Sequence, residues 1–232
     1  IVLDNFNIGA LLGRKDVGRT TLDLDVDGVG FTEKYLNTIV KGDISKLDYN
    51  KYRYSNIAIN GNFKLPYYKG QIAINDPNLN LSFDGLLDLS KKENRYDFHI
   101  NVENSDLRRL KFVKDSISRF KGDVVVQLTG NSIENLQGDI FINKTTYQNT
   151  KSTYVFDDFA INSSFDKNWV RTITVNSPDI VEGQIVGKFQ FNQLNNLIKN
   201  SLGSLYTNFK PHKVKKGQFL KFDFTIYSKI IE

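Results

Sequence analysis

Tyr96-Asp97-Phe98-His99-Ile100-Asn101-Val102-Glu103 alternates without a break, apolar side chains at even numbers and polar ones at odd numbers. Successive side chains of an extended chain point to opposite faces, so this stretch reads as a β-strand with one apolar and one wetted face. A helix would scatter the same residues around its circumference.

The same period recurs outward in both directions. Towards the N-terminus, Leu79, Leu81 and Phe83 alternate with Asn78, Asn80, Ser82 and Asp84, and Ile72 and Ile74 run into Asp76. Ile57, Ile59, Phe63 and Leu65 share one parity with Gly61, and Leu22, Leu24 and Val26 alternate with Asp23, Asp25 and Asp27. Towards the C-terminus come Val124, Val126 and Leu128, then Ile140 and Ile142, then Tyr154 and Phe156, then Phe159, Ile161 and Phe165. Trp169, Ile173 and Val175 follow, then Ile185, Phe189 and Phe191, and finally Leu220, Phe222, Phe224 and Ile226. About a dozen strands of roughly 8 to 12 residues are expected, antiparallel because short polar turns separate them. Lys91-Lys92-Glu93-Asn94, Asp166-Lys167-Asn168 and Asp76-Pro77-Asn78 read as such turns, and Pro66, Pro77 and Pro178 flank strands, where proline is tolerated.

Three segments leave this period. Leu194, Leu197, Ile198, Leu202, Leu205, Tyr206 and Phe209 form one helical stripe, which predicts an amphipathic helix over about 192–207 with Gly203 as its weak point. Phe6 to Leu12 and Ser105 to Leu110 read as short helical turns, the second capped by Ser105 or Asp106. A loose repeat runs through the strands, each copy led by glycine: Gly42-Asp43-Ile44, Gly70-Gln71-Ile72, Gly122-Asp123-Val124, Gly138-Asp139-Ile140 and Gly183-Gln184-Ile185. Glycine there marks a bulge or bend, and such self-similarity belongs to stacked, quasi-one-dimensional architectures.

The chain has 232 residues, 40% of them hydrophobic, with 17 Phe and 11 Tyr, which is enough for a single sizeable domain over 1–232. No apolar run reaches the 18 or so residues of a membrane-spanning helix, and mean hydropathy is −0.38. With neither Met nor a leader-like start, the sequence reads as a fragment of a larger protein. The absence of Cys excludes disulfide scaffolds, Cys-ligated zinc, iron–sulfur clusters and thiol nucleophiles. The net charge of +5 is spread thinly, with no basic cluster interleaved with aromatics, which argues against nucleic acid as partner.

No enzyme chemistry is legible. His99 and His212 lie far apart and in no metal-ligand spacing, His99 at a wetted strand position. Walker, dinucleotide and nucleophile-elbow patterns are absent, and Asp23, Asp25 and Asp27 read as the polar face of a strand rather than a calcium site or a glycosidase pair. Asn143-Lys144-Thr145 and Asn162-Ser163-Ser164 match glycosylation sequons, to which an Asn-rich chain gives no weight. The expectation is a non-enzyme with no cofactor and no metal. What stands out is the aromatic weight of the apolar parity, which suits either a packed sandwich core or a curved sheet with an apolar groove.

Several stretches together resemble one family. They are Asn50-Lys51-Tyr52-Arg53-Tyr54-Ser55-Asn56-Ile57, Asn60-Gly61-Asn62-Phe63, Asn75-Asp76-Pro77-Asn78-Leu79-Asn80-Leu81-Ser82-Phe83-Asp84-Gly85 and Asp88-Leu89-Ser90. Tyr96-Asp97-Phe98, Asn104-Ser105-Asp106-Leu107-Arg108-Arg109-Leu110, Asn200-Ser201-Leu202-Gly203-Ser204-Leu205-Tyr206-Thr207-Asn208 and Gly217-Gln218-Phe219-Leu220-Lys221-Phe222 complete the set. In order and spacing they resemble the C-terminal region of the TamB family of translocation and assembly module proteins, AsmA-like bridge-type lipid transfer proteins, as found in Bacteroidetes-like bacteria.

The resemblance implies a mainly β fold, a long curved antiparallel sheet forming an open hydrophobic groove, the β-taco. It implies a periplasmic location within an inner-membrane-anchored protein that reaches the outer membrane. The implied function is to carry phospholipids between the two membranes, with phospholipid acyl chains, the remainder of the same chain and a BamA-like outer-membrane barrel of the TamA type as partners. An alternative is assembly or secretion of outer-membrane proteins with that barrel; an outer-membrane β-barrel or a glycan-binding β-domain stands behind it. About a dozen strands at roughly 4.8 Å extend such a groove by about 60 Å. Parity and density select its lining as Ile72, Ile74, Leu79, Leu81, Phe83, Phe98, Ile100, Val102, Val124, Val126, Ile140 and Ile142, with Leu194, Leu197, Ile198, Leu202 and Leu205 on a helix that caps it.

Overall fold

A computed structural model describes residues 1–29, 37–64, 66–89, 92–178 and 180–227; Leu65 and Lys91, read above as strand and turn, lie outside them. Thirteen strands form one open antiparallel sheet in which spatial order is chain order. They are β1 (Val2–Asn7), β2 (Val17–Val29), β3 (Asn37–Tyr49), β4 (Tyr52–Lys64), β5 (Tyr67–Asp76), β6 (Leu79–Asp88) and β7 (Arg95–Asp106). There follow β8 (Ser118–Thr129), β9 (Gln137–Asn149), β10 (Thr153–Phe165), β11 (Arg171–Ser177), β12 (Val181–Lys188) and β13 (Phe219–Ile226). Helices are short: α1 (Ile8–Leu12), a 3₁₀ turn (Phe191–Gln193) and α2 (Leu194–Gly203). The mainly β reading of the alternating sequence is therefore correct.

The turns follow from their residues. Asn50 and Lys51, at φ of 48° and 64°, join β3 to β4 in a two-residue turn closed by the Tyr49–Tyr52 pair. Two left-handed residues match the right-handed twist of the strands they connect. At Asp76-Pro77-Asn78 the Asp76 carboxylate accepts the Asn78 N–H at 2.9 Å, folding the chain back onto β6.

Three expectations need correction. Trp169 is not in a strand: Asp166 accepts the N–H groups of Asn168 and Val170 at 2.8 Å, and the resulting turn holds Trp169 at φ 59°, largely exposed. Phe189 and Phe191 lie beyond the end of β12, and Phe191 opens the 3₁₀ turn. The C-terminal helix ends at Gly203 instead of near 207, because the chain turns back and the Phe209 ring packs where a Gly203 side chain would stand. Of the short turns, the first begins at Ile8, and in the second Asp106 supplies the cap, its Oδ1 accepting the Arg109 N–H at 3.0 Å.

The chain divides into two compact units, Ile1–Val126 with Ile142–Asp157, and Gln127–Phe141 with Asp158–Glu232. In the first unit the core sits at one end of the apolar face, where Tyr54, Ile57, Leu79 and Leu110 bury one another with Ile44, Leu47, Ile74 and Leu81 packed around them. In the second, Leu197 is the buried contact of α2, and Arg171 lies buried on β11.

Candidate functional site

Antiparallel register turns the alternation of each strand into rows that cross the sheet. One row of the first unit runs Leu22, Ile44, Ile57, Ile74, Leu81 and Val102 from β2 to β7. The next runs Leu24, Gly42, Ile59, Ile72, Phe83 and Ile100, and the third Val26, Val40, Gly61, Gly70, Gly85 and Phe98. A one-residue slip anywhere would move a whole strand's apolar set to the wet face, so matched rows fix the register.

These rows bring together Ile72, Ile74, Leu81, Phe83, Ile100, Val102 and Phe98. Ile57 and Val102 are buried, whereas Ile59, Ile72, Phe83, Phe98 and Ile100 are half-buried, leaving apolar surface along the middle of the face. Leu79 is placed differently, one rung further along beside Asp76 and Ser105, inside the core cluster under Leu110. Val124 and Val126 sit in β8 on the parity opposite Asp123, and Ile140 and Ile142 in β9.

Three glycines, Gly61, Gly70 and Gly85, stand in register across β4, β5 and β6. With no side chains of their own they let aromatic rings from the flanking rows, and Phe98 at the end of their own row, lean in. Phe63, Tyr68, Phe83 and Phe98 follow one another with ring centroids 4.6, 5.9 and 5.4 Å apart, tilted at 34–42°. Such tilted contacts add to the area these rings bury. Burial raises the Tyr68 phenol above its ordinary pKa, and among the described residues its hydroxyl has no hydrogen-bond partner.

A polar clasp lies at the same end of the face as the core cluster, where Asp76 pairs with Leu79 and Tyr52 packs against the cluster. Asp76, on the apolar parity and 5% exposed, accepts the Tyr52 hydroxyl, the Ser55 N–H at 3.0 Å, the Ser55 hydroxyl at 2.8 Å and the Asn78 N–H. Burial pushes its pKa up, but these four donors outweigh burial and hold it below the ordinary carboxylate value. Tyr52 is raised by burial and by donating to that carboxylate.

The other face of the same strands is polar. Its rows are Asp23, Asp43, Ala58, Ala73, Ser82 and Asn101, and Asp25, Lys41, Asn60, Gln71, Asp84 and His99. His99 is exposed and contacts Asp123. A depression of about 500 Å³ lies on this face rather than the apolar one, floored by Ala58, Ala73 and Ser82. Asp23, Asp25 and Asp27 lie on this polar parity, and among the described residues no His, Asp or Glu cluster forms a metal-binding group.

In the second unit, Ile161, Val175, Gly183 and Phe224 form one apolar row and Ser163, Ile173, Ile185 and Phe222 the next. Of the helical stripe, Leu197 is buried and Leu194 and Ile198 half-buried, while Leu202 and Leu205 are 51% and 80% exposed. Arg171 is sandwiched at 5.0 and 4.9 Å from the Phe165 and Phe191 ring centroids and donates to Ser163 Oγ and to the Ile133 and Leu136 carbonyls.

Sequence reading missed Tyr68, Leu110 and the glycine row. Tyr68 shares the parity of Gly70 and Ile72, so the signal was present; Leu110 sits in a turn, where alternation says nothing about burial.

Compared with protein-family models, with curated proteins and with solved structures, the chain gives no match in any of the three.

Proposed function

We propose that the apolar face of β2–β7 carries acyl chains, and that the chain is a segment of a periplasmic conduit moving phospholipids between inner and outer membranes, partnered by a BamA-like barrel. The observation that carries this reading is the register: apolar rows continue from strand to strand while the side chains in their middle stay half-buried. A lipid tail laid across the strands meets the same surface at every rung. Burying each methylene gains about 0.8 kcal/mol, so a uniform lining lowers the barrier to movement without trapping the tail at one point. No bond is made or broken, and the chain acts as a carrier surface rather than an enzyme.

Photo-crosslinking in the producing cell tests the reading, with a photoreactive residue at position 100 or 101. Ile100 pairs with Phe83 on the apolar face and Asn101 with Ser82 on the polar face. Lipid adducts at 100 and not at 101 are expected. Adducts at neither position overturn the proposal, and adducts only to unfolded outer-membrane proteins replace it with the assembly role.

A further inference from the structure

On the polar face of the first unit, Ala58, Ala73 and Ser82 stand in register across β4, β5 and β6, exposed and free of bulk. One wall of the trench above them is the row Asn60, Gln71, Asp84 and His99. The other is Asn56, Asn75 and Asn80, so a second depression of about 290 Å³ shares the floor with the first. The walls stand four residues apart along each strand, about 13 Å at the strand rise of about 3.3 Å.

Both walls are held from within. Gln71 donates to Asp84 at 3.0 Å, Asn56 to the Asn75 carbonyl at 3.2 Å and Asn80 to Glu103 at 3.1 Å. Each amide so fixed keeps its side-chain oxygen, and the exposed Asn60 amide has no side-chain partner among the described residues.

We propose that this trench binds a neutral, β-linked glycan chain lying across the strands. Three features select that occupant. Wall groups recur once per strand, at about 4.8 Å, close to the advance of one pyranose unit in an extended β-linked chain. An extended peptide advances about 3.3 Å per residue and falls out of step. Amides and carboxylates together donate and accept, as hydroxyls require, and the small side chains of the Ala58–Ala73–Ser82 floor leave room for a sugar ring. Lastly, Asp43, Asp84 and Glu103 outnumber Lys41 around the trench, which disfavours phosphate, sulfate and nucleic acid.

Titration of the chain with cellohexaose and chitohexaose, read by calorimetry and amide NMR, tests this. Saturable binding of at least one is expected, with shifted amides confined to β4–β7. Ala73→Tyr, a strand-compatible change at an exposed site, is expected to abolish it, and Asn60→Ala with Gln71→Ala to weaken it about tenfold or more. No binding by either sugar at millimolar concentration overturns the proposal. So does binding that Ala73→Tyr leaves intact, equal binding of a Ser-Gly repeat hexapeptide, or tighter binding of dextran sulfate.

Discussion

The Tyr68 ring of β5 lies over Gly61 of β4: a β-carbon on Gly61 would stand 2.7 Å from Tyr68 Cε2 and 3.1 Å from its hydroxyl oxygen. Gly70, its cross-strand partner, is tighter still, since a β-carbon there would meet the Asn60 carbonyl oxygen at 2.3 Å and the Gly61 Cα at 2.4 Å. The ring can swing aside and the Lys69 carbonyl oxygen, 3.0 Å from the Gly61 position, need give only a little, whereas the paired backbone at 2.3 and 2.4 Å from the Gly70 position cannot.

Gly70→Ala is therefore expected to destabilise more than Gly61→Ala, by about 1–3 kcal/mol against roughly 1 kcal/mol or less. Urea unfolding of the two variants checks the order. Near-UV circular dichroism should respond to Gly61→Ala through the displaced tyrosine, and equal stabilities with an unchanged aromatic signal would count against the close approach.

Asp76 and Tyr52 give the first unit a pH dependence with two limbs. Hydrogen bonds hold the folded Asp76 below its ordinary value, so its contribution is complete above the unfolded pKa near 3.9 and is lost as pH falls through the lower folded value. Burial and the bond to Asp76 raise Tyr52, so its contribution is present below the ordinary phenol value near 10 and is lost as pH rises through the higher folded value. Asp76→Asn should flatten the acid limb of a stability–pH profile, and Tyr52→Phe the alkaline one. An unchanged acid limb in Asp76→Asn would remove the clasp from the account.

Alternation disclosed the strands because a sheet with one wet face writes its burial directly into the sequence, as in Tyr96 to Glu103. Register was less legible. Ile72, Phe83 and Ile100 could be assigned to one parity, but only pairing shows that they share a row with Ile59 and that Gly61, Gly70 and Gly85 share another. Contacts made outside the ladder were not legible at all. Trp169 carries an apolar parity yet is turned outward by the hydrogen bonds of Asp166, and Leu205 continues a helical stripe beyond the point where Phe209 folds over Gly203.

Leu110 has no accessible surface although it lies in a turn, with its N–H bonded to the Asp106 carbonyl at 3.0 Å. Leu110→Ala removes the side chain that closes the end of the apolar face over Tyr54, Ile57 and Leu79, and should cost about 2–5 kcal/mol. Leu205→Ala, at a site 80% exposed, should stay within about 0.5 kcal/mol. Denaturant midpoints compare the two, and similar losses would contradict the burial assigned to Leu110.

Arg171 donates its hydrogen bonds to neutral acceptors, with the Glu134 carboxylate near enough to act on its charge and partly offset burial. Burial lowers its pKa, and its fork reaches Ser163 Oγ and the Ile133 carbonyl at 3.0 Å, with Leu136 O beside them, while two rings cover its faces. A lysine keeps the charge but has neither the planar fork nor the stacking surface, so Arg171→Lys should destabilise the second unit by about 1–3 kcal/mol. Hydrogen exchange should locate the loss in β10–β12. A stability equal to that of the parent chain would mean that the bonds from the fork add nothing.

Ile100 separates a carrier face from a merely structural one. It is half-buried, between Phe83 in its own row and Val102 and Phe98 along its strand, so a carboxylate there can reach water and the sheet should persist. The same carboxylate interrupts the apolar lining at one rung, and a lipid tail crossing that rung must desolvate it. Ile100→Asp is expected to abolish acyl-chain binding, measured by displacement of a fluorescent fatty acid, while Asn101→Asp on the opposite face leaves it unchanged. A folded Ile100→Asp that binds as the parent does would leave the apolar rows as packing and remove the ground for the conduit.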